Sequence, residues 1–339
     1  MTMNSRSTVT NGDRYVPYAE RTGNESIVYF TRDLSAEGLR KIYARVNANI
    51  TGRVAVKLHT GEKHGPNILP RPWVRELMEN ELKGATIVET NTYYEGDRYT
   101  TEAHLETLKV NGWDFCPVDI MDAEGTVMMP VEGGHWMKEI SMGKDVLNYD
   151  SLVALTHFKG HVQGGFGGSN KNLAIGMADG RIGKAQIHTL EGSENQWSIR
   201  EEEFMERMAE STKATLDHFG KHITFVNVMR NMSVSCDCEG VAAEPVVTPN
   251  VGILASVDIL AVDQACVDCV WAMKEEDHAA LCERMTSRHG LRQLTAMKEL
   301  GMGNDRYKLI DIDNGDAMIT AADAVKDVVP FVQPPKFKT

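Results

Sequence analysis

The run Ile27-Val28-Tyr29-Phe30, then Ser35 with Leu39, Ile42, Val46 and Ile50 behind it, then Val54-Ala55-Val56-Lys57-Leu58, decides the fold. A four-residue apolar run reads as a buried strand, apolar residues every three or four positions behind a capping serine read as a helix, and the second run is another strand. Working outward, Pro72–Leu82 reads as a helix, Ala85–Glu89 as a strand and Thr100–Val110 as a helix. Beyond the middle of the chain, Phe204, Met208, Thr212, Leu216 and Phe219 mark one side of a helix closed by Gly220. Ile223–Val228 and Val251–Leu254 read as strands and Ala261–Met273 as a helix, with Asp258 and Asp263 as capping residues. Strand-helix alternation of this kind implies an α/β fold of mostly parallel sheets covered by helices. The expected layout is two closely associated subdomains, 26–190 and 191–330, behind a flexible or surface-wrapping arm, 1–25, with a tail at 331–339.

The 339 residues suit two domains or one large one. Lys plus Arg number 36 against 48 Asp plus Glu, a net charge of −12, which argues against a nucleic-acid partner. Hydrophobic residues at 42% and charged residues at 25% are ordinary globular usage. No apolar run reaches membrane-spanning length and the first 25 residues carry no apolar signal core, so the expectation is a cytoplasmic protein without membrane contact. Six cysteines in such a chain are read first as metal or redox chemistry.

Eight glycines fall between residues 160 and 183. The stretch from His157 through Lys159, His161, Gly164, Gly165, Gly167, Gly168, Asn170, Lys171 and Asn172, followed by Lys184 and His188, gathers imidazoles, amines and exposed amides in one loop. Amides bared by glycine, together with lysine charge, suit a phosphate-bearing cofactor or a carboxylate substrate. The glycines would also serve tight turns and the histidines local hydrogen bonds, and both readings stand. The pattern is neither a Walker loop nor a dinucleotide fingerprint. His161, Lys171 and His188 are the candidate catalytic residues. Gly164, Gly165, Gly167 and Gly168, with Asn170, Asn172 and Lys184, are candidates for cofactor binding. His59 and His64, beyond the end of a strand, join them or are solvated loop residues.

Cys236-Asp237-Cys238 and Cys266-Val267-Asp268-Cys269 supply four thiols, the soft ligands that zinc and iron–sulfur clusters prefer, and His157 is a further candidate ligand. Cys266 and Cys269 sit at i and i+3 of an expected helix, where burial alone accounts for them.

The segments Val54–Glu62, His157–His161, Gly165–Leu173, Cys236–Cys238 and Gly252–Ala265 resemble the domain of unknown function 362 family, over about residues 26–315. Many members carry a ferredoxin-like pair of four-iron clusters after the position of His188. This chain lacks that insert and has no cysteine between His188 and Phe204, while the Cys-Asp-Cys motif persists. The order His161, Gly165–Lys171, His188 is also similar to the lactate racemase family, which holds a nickel-pincer nucleotide. That resemblance implies a cofactor facing or tethered to Lys171 and a metal on His188, with His59 or His64 upstream. The family's Asp-Asp-x-Thr-Arg-Pro segment is not recognisable.

The leading expectation is a metal-dependent, iron–sulfur-linked oxidoreductase acting on a small anionic substrate, with an iron–sulfur cluster or thiolate-bound metal. The alternatives are a nickel-pincer isomerase or racemase, and a metal- or ligand-binding protein that is no enzyme. The expected partners are a small-molecule substrate, a redox protein and further copies of the chain.

Overall fold

A computed structural model describes residues 14–331. The strands are β1 (Glu25–Thr31), β2 (Val54–Lys57), β3 (Thr86–Glu89), β4 (Val118–Ile120), β5 (Thr126–Pro130), β6 (Glu139–Gly143), β7 (Ser151–His157), β8 (Lys159–His161), β9 (Gly165–Gly167), β10 (Ile223–Met229), β11 (Gly252–Ser256), β12 (Arg306–Asp311) and β13 (Ala317–Ile319). The helices are α1 (Ala36–Tyr43), α2 (Arg71–Asn80), α3 (Thr101–Val110), α4 (Ser169–Met177), α5 (Ile182–His188), α6 (Glu201–Phe219), α7 (Ile259–Ala272), α8 (Glu275–Ser287), α9 (Arg292–Glu299) and α10 (Ala321–Val325).

Nine strands form one sheet in the order β13-β12-β1-β11-β10-β7-β2-β3-β4. From β10 to β4 every neighbour is parallel, as are β1 and β12. β11 lies antiparallel to both β10 and β1, and β13 antiparallel to β12. The mostly parallel α/β architecture is therefore present, but the boundary expected near residue 190 does not divide it. β7 pairs with β10, and β1 pairs with β11 and β12.

Alternate residues of each central strand enter opposite cores, as the two-residue period of a strand requires. Leu152 and Ala154 face Leu173, Met208 and Val262 of α4, α6 and α7. Val153 and Leu155 face Leu39, Leu77 and Leu108 of α1, α2 and α3. Such doubly covered strands need continuous apolar runs, which is why β7 and β10 are buried at every position. α1 ends at Tyr43, short of the periodicity that continues to Ile50. Turn hydrogen bonds from Arg45 to Ile42 and Val46 to Tyr43 close the helix ahead of Asn47 and Asn49, which are poor helix formers. Among the described residues no helix is long and apolar enough to cross a membrane.

Residues 14–24 of the expected arm wrap the body, and residues 1–13 and 332–339 lie outside the described residues. The buried Arg21 guanidinium donates to both Asp268 carboxylate oxygens at 2.7 and 2.6 Å. Tyr15 and Tyr307 hydroxyls donate to the same carboxylate, and Tyr15 stacks on Trp271.

Asp258 caps its own helix α7 by accepting from the Ala261 amide. Asp263 caps a different one. From within α7 its carboxylate accepts from the Ser169 and Asn170 amides at the start of α4, at 2.7 and 2.9 Å, and from Asn227 of β10 at 2.7 Å. A Cβ on Gly168 would stand 2.5 Å from that carboxylate, so glycine is required for the approach. Replacing Asp263 by Ala leaves buried donors without an acceptor. We expect a stability loss of about 3 kcal/mol, read as a lower urea midpoint at unchanged slope; a midpoint that does not move would separate α4 from this anchor.

Candidate active site

The carboxyl ends of parallel strands are where α/β proteins form sites, because the chain leaves the sheet there and its loops diverge. Lys57 ends β2, Glu89 ends β3 and His157 ends β7, and all three line one cavity of about 340 Å³. Lys57 Nζ pairs with Glu89 at 2.8 Å and also donates to the Leu58 carbonyl. Burial alone would raise the Glu89 carboxyl, but Lys57 and Arg98 hold it well below the usual range. A Cβ on Gly176 would lie 1.9 Å from Lys57 Cε, so this glycine of α4 clears the path of the lysine. Arg98, Lys159, Lys171 and Lys184 add positive charge to the same walls. Lys184 donates to Thr90 Oγ1 and to the Asn91 carbonyl, and burial lowers its amine to about 7.

The sulfurs reach the cavity through Asp237. Its buried carboxylate sits 2.9 Å from His157 Nδ1 and 3.2 Å from Lys159 Nζ. Those two neighbours hold its carboxyl far down although burial opposes it. Cys236 opens the following 3-10 turn, Asp237–Ala242, and its sulfur accepts from the Cys238 amide at 3.3 Å while Glu239 accepts from the Cys236 amide at 2.8 Å. Cys236 Sγ lies 4.0 Å from His59 Nε2, and Cys238 Sγ 3.9 Å from His161 Nε2. Burial raises the Cys236 thiol, but the hydrogen bond with Cys238 and the charge of Lys171 outweigh it and the thiol is held down; the same shared bond drives Cys238 up.

His161, Cys236 and Cys238 bring three metal-ligand atoms within 4.8 Å of one another, so this cluster could bind a metal ion. The hydrogen bonds decide which atoms are offered. His161 Nδ1 accepts from the Gln163 and Gly164 amides at 3.2 and 2.8 Å, and His59 Nδ1 accepts from the Gly61 amide at 3.0 Å. In a neutral ring whose Nδ1 accepts, the proton sits on Nε2, so both rings point an N–H at sulfur. A ligating histidine has the opposite pattern, donating from its second nitrogen to an acceptor. These hydrogen bonds leave the two sulfurs as the atoms free to meet a soft or borderline ion, with the imidazoles as N–H donors around them. His188 has the ligand pattern, since its Nδ1 lies 2.8 Å from the Lys184 carbonyl and its Nε2 keeps its lone pair. Tyr93, Trp197 and Phe204 pack around its ring.

Of the residues singled out from sequence, His59, His157, His161, Gly167, Gly168, Lys171, Asn172, Lys184, His188 and Cys238 line the cavity. Cys236 lies directly beneath it. Cys266 and Cys269 are in the apolar core on α7, apart from the other pair, so the four thiols do not converge and a four-thiolate iron–sulfur cluster does not fit. His157 has both ring nitrogens against acceptors, Asp237 and the Arg230 carbonyl, and offers neither to a metal. His64 is exposed on its loop, Gly165 packs against Gly290, Gly164 backs onto His161, and Asn170 is bonded to Gln293 behind α4. Lys57, Glu89, Tyr93, Arg98 and Trp197 were not singled out. Only Lys57 carried a signal, as a charge inside the apolar run Val54–Leu58.

Comparisons bear on the family. No curated protein matches the sequence. Among solved structures, the lactate racemase apoprotein from Thermoanaerobacterium thermosaccharolyticum is similar at 15% identity and a TM-score of 0.34, over 90% of this chain and 88% of that one. A Thermotoga maritima crystal structure is similar at 14% identity and a TM-score of 0.35, over 57% of this chain. The chain spans 49% of the length of that second protein. The family model described as a domain of unknown function, DUF362, matches residues 54–268, a span that runs from β2 through the cysteine loop into α7, and the chain belongs to that family.

Proposed function

We propose that the protein is a metal-dependent oxidoreductase acting on a small anionic substrate in the cavity at the carboxyl ends of β2, β3 and β7. The observation that carries this reading is the Cys238 sulfur, with that of Cys236 within 4.8 Å of it, against a cavity whose walls hold Lys57, Arg98, Lys159, Lys171 and Lys184. The amines and the guanidinium orient a carboxylate or phosphate; with Glu89 and Asp237 already paired to Lys57 and Lys159, Lys171 is the cation best placed to meet it. His59 and His161 stabilise sulfur as thiolate by donating from Nε2. His188 Nε2, which keeps its lone pair, can accept a hydrogen bond from the substrate. A thiolate-bound metal, when present, supplies Lewis acidity or electron transfer.

A second reading, an isomerase or racemase holding a nickel-pincer nucleotide, is favoured by His188, whose Nε2 alone among the cavity imidazoles has its lone pair free, and by Lys171 in the same cavity. The two readings part in one preparation. Purified without oxygen, the wild type is expected to hold roughly one metal ion per chain, and Cys238→Ser to lose about tenfold or more of it. Metal content untouched by that substitution overturns the thiolate reading, and added mass on Lys171 with nickel replaces it by the second.

Both readings need neutral imidazoles in the cavity. Burial, helped by the Lys171 charge, lowers His161 to about 4 and His188 to about 3, from 6.5. Between those values and 6.5 the unfolded chain binds protons that the folded one does not, so stability falls as pH drops through that window. In metal-free protein we expect on the order of 3 kcal/mol per ring. The check is the melting temperature from pH 7 down to 4; His188→Gln should flatten the slope, and an unchanged slope would mean that the ring takes up protons equally in the folded and unfolded chain.

A further inference from the structure

Two cysteines separated by one residue, both reduced, stand at the cavity with no other thiol beside them. Their backbone is fixed, because the intervening Asp237 is clamped by His157 and Lys159. Cys236 is extended, with φ −93° and ψ 156°, and the chain turns immediately after it, so the Cys238 amide reaches back to its sulfur at 3.3 Å. The sulfurs lie within 4.8 Å of each other, and a disulfide requires them to close to about 2 Å. The two differ in access. Cys238 is half-buried and lines the cavity, whereas Cys236 is 1% exposed behind it.

We propose that Cys236 and Cys238 form a redox-active dithiol that closes to a disulfide by exchange with a small-molecule disulfide entering the cavity. Cys238 meets the incoming disulfide first. Its sulfur attacks one sulfur of the reagent as its proton passes to the Cys236 thiolate, and the first thiolate of the reagent leaves and takes that proton from Cys236. The Cys236 thiolate then attacks Cys238 of the mixed disulfide, displacing the second thiolate, which takes a proton from water. In total one thiol, one thiolate, one disulfide and one solvent proton become one protein disulfide and two small thiols, with two electrons passing from protein to reagent. His59 Nε2–H and the Cys238 amide stabilise the Cys236 thiolate that resolves the intermediate. A ring closed over a single residue is strained, so the bond is one that a small thiol reopens. The proposal goes beyond the metal reading and does not rest on it. The closed disulfide removes both thiolate ligands, so oxidation would also empty a metal held there.

The test uses the full chain, reduced, stripped with a chelator and treated with excess glutathione disulfide. Remaining thiols are then capped with N-ethylmaleimide under denaturing conditions and mapped by mass. The expected result is a peptide holding Cys236 and Cys238 that is uncapped and two hydrogens lighter, with Cys116, Cys266, Cys269 and Cys282 capped. Cys236→Ser should retain a stable glutathione adduct on Cys238, and Cys238→Ser should react about tenfold more slowly. A wild type that keeps both thiols capped, that keeps the adduct on Cys238, or that links either cysteine to a different one overturns the proposal. Low metal content in the untreated protein would sink the metal reading and leave this outcome unmoved.

Discussion

The carboxylate of Asp237 is the contact on which the site depends. It is a buried anion, placed between the two cysteines in sequence and between His157 and Lys159 in space. A charge buried in this way is tolerable only with partners, and both partners are supplied by β7 and the strand that follows it. The loop carrying the sulfurs is thereby fastened to the end of the central strand. A loop held only by its own turn hydrogen bonds would place the thiols with far less definition. His157 is consequently a positioning residue, and its chemistry is spent on Asp237.

The same logic explains how an acidic chain builds a cationic cavity. The net charge of −12 describes the whole chain, most of whose carboxylates face water. Inside, Lys57, Lys159 and Arg98 are paired with Glu89, Asp237 and Glu62. The low dielectric that makes each unpaired charge costly also makes the surplus cations, Lys171 among them, effective towards an anion that shares the cavity. Tyr94, whose hydroxyl donates to Glu62 beside Arg98, and Tyr93, packed on His188 and Trp197, bring the loop after β3 over this surplus.

Much of the fold could be read from period and punctuation, since the parallel strands are apolar runs and the covering helices carry caps and stripes. Ser35, Thr100 and Asp258 cap where their residue types suggest. The helices α4 and α5 were hidden inside the glycine-rich stretch, because glycine at 168, 176 and 183 reads as loop while it serves close approach between packed elements. The antiparallel place of β11 and the split of the cysteines into a cavity pair and a core pair depend on tertiary pairing, to which local pattern is blind. So does the tautomer of each histidine. His59, His161 and His188 are alike as letters, and only the group facing Nδ1, amide hydrogen or carbonyl oxygen, makes them different reagents.

The place of β1 has a consequence for how the chain comes to be folded. β1 precedes the other described strands, yet its neighbours are β11 and β12, more than two hundred residues later. While the chain is being synthesised, the parallel strands β2, β3, β4 and β7 can assemble with their helices, but β1 has no partner until β11 emerges. Pairings of such sequence separation are slow to form, and an unpaired strand is an open template for other chains. A chain stopped before residue 252 would present β1 and the free edge of β10 together, two complementary strand edges without their spacer, and aggregation is the fate those edges imply. Completion of the sheet, and with it burial of Phe30 and Val28, waits until β11 and β12 have been made, long after β1 itself.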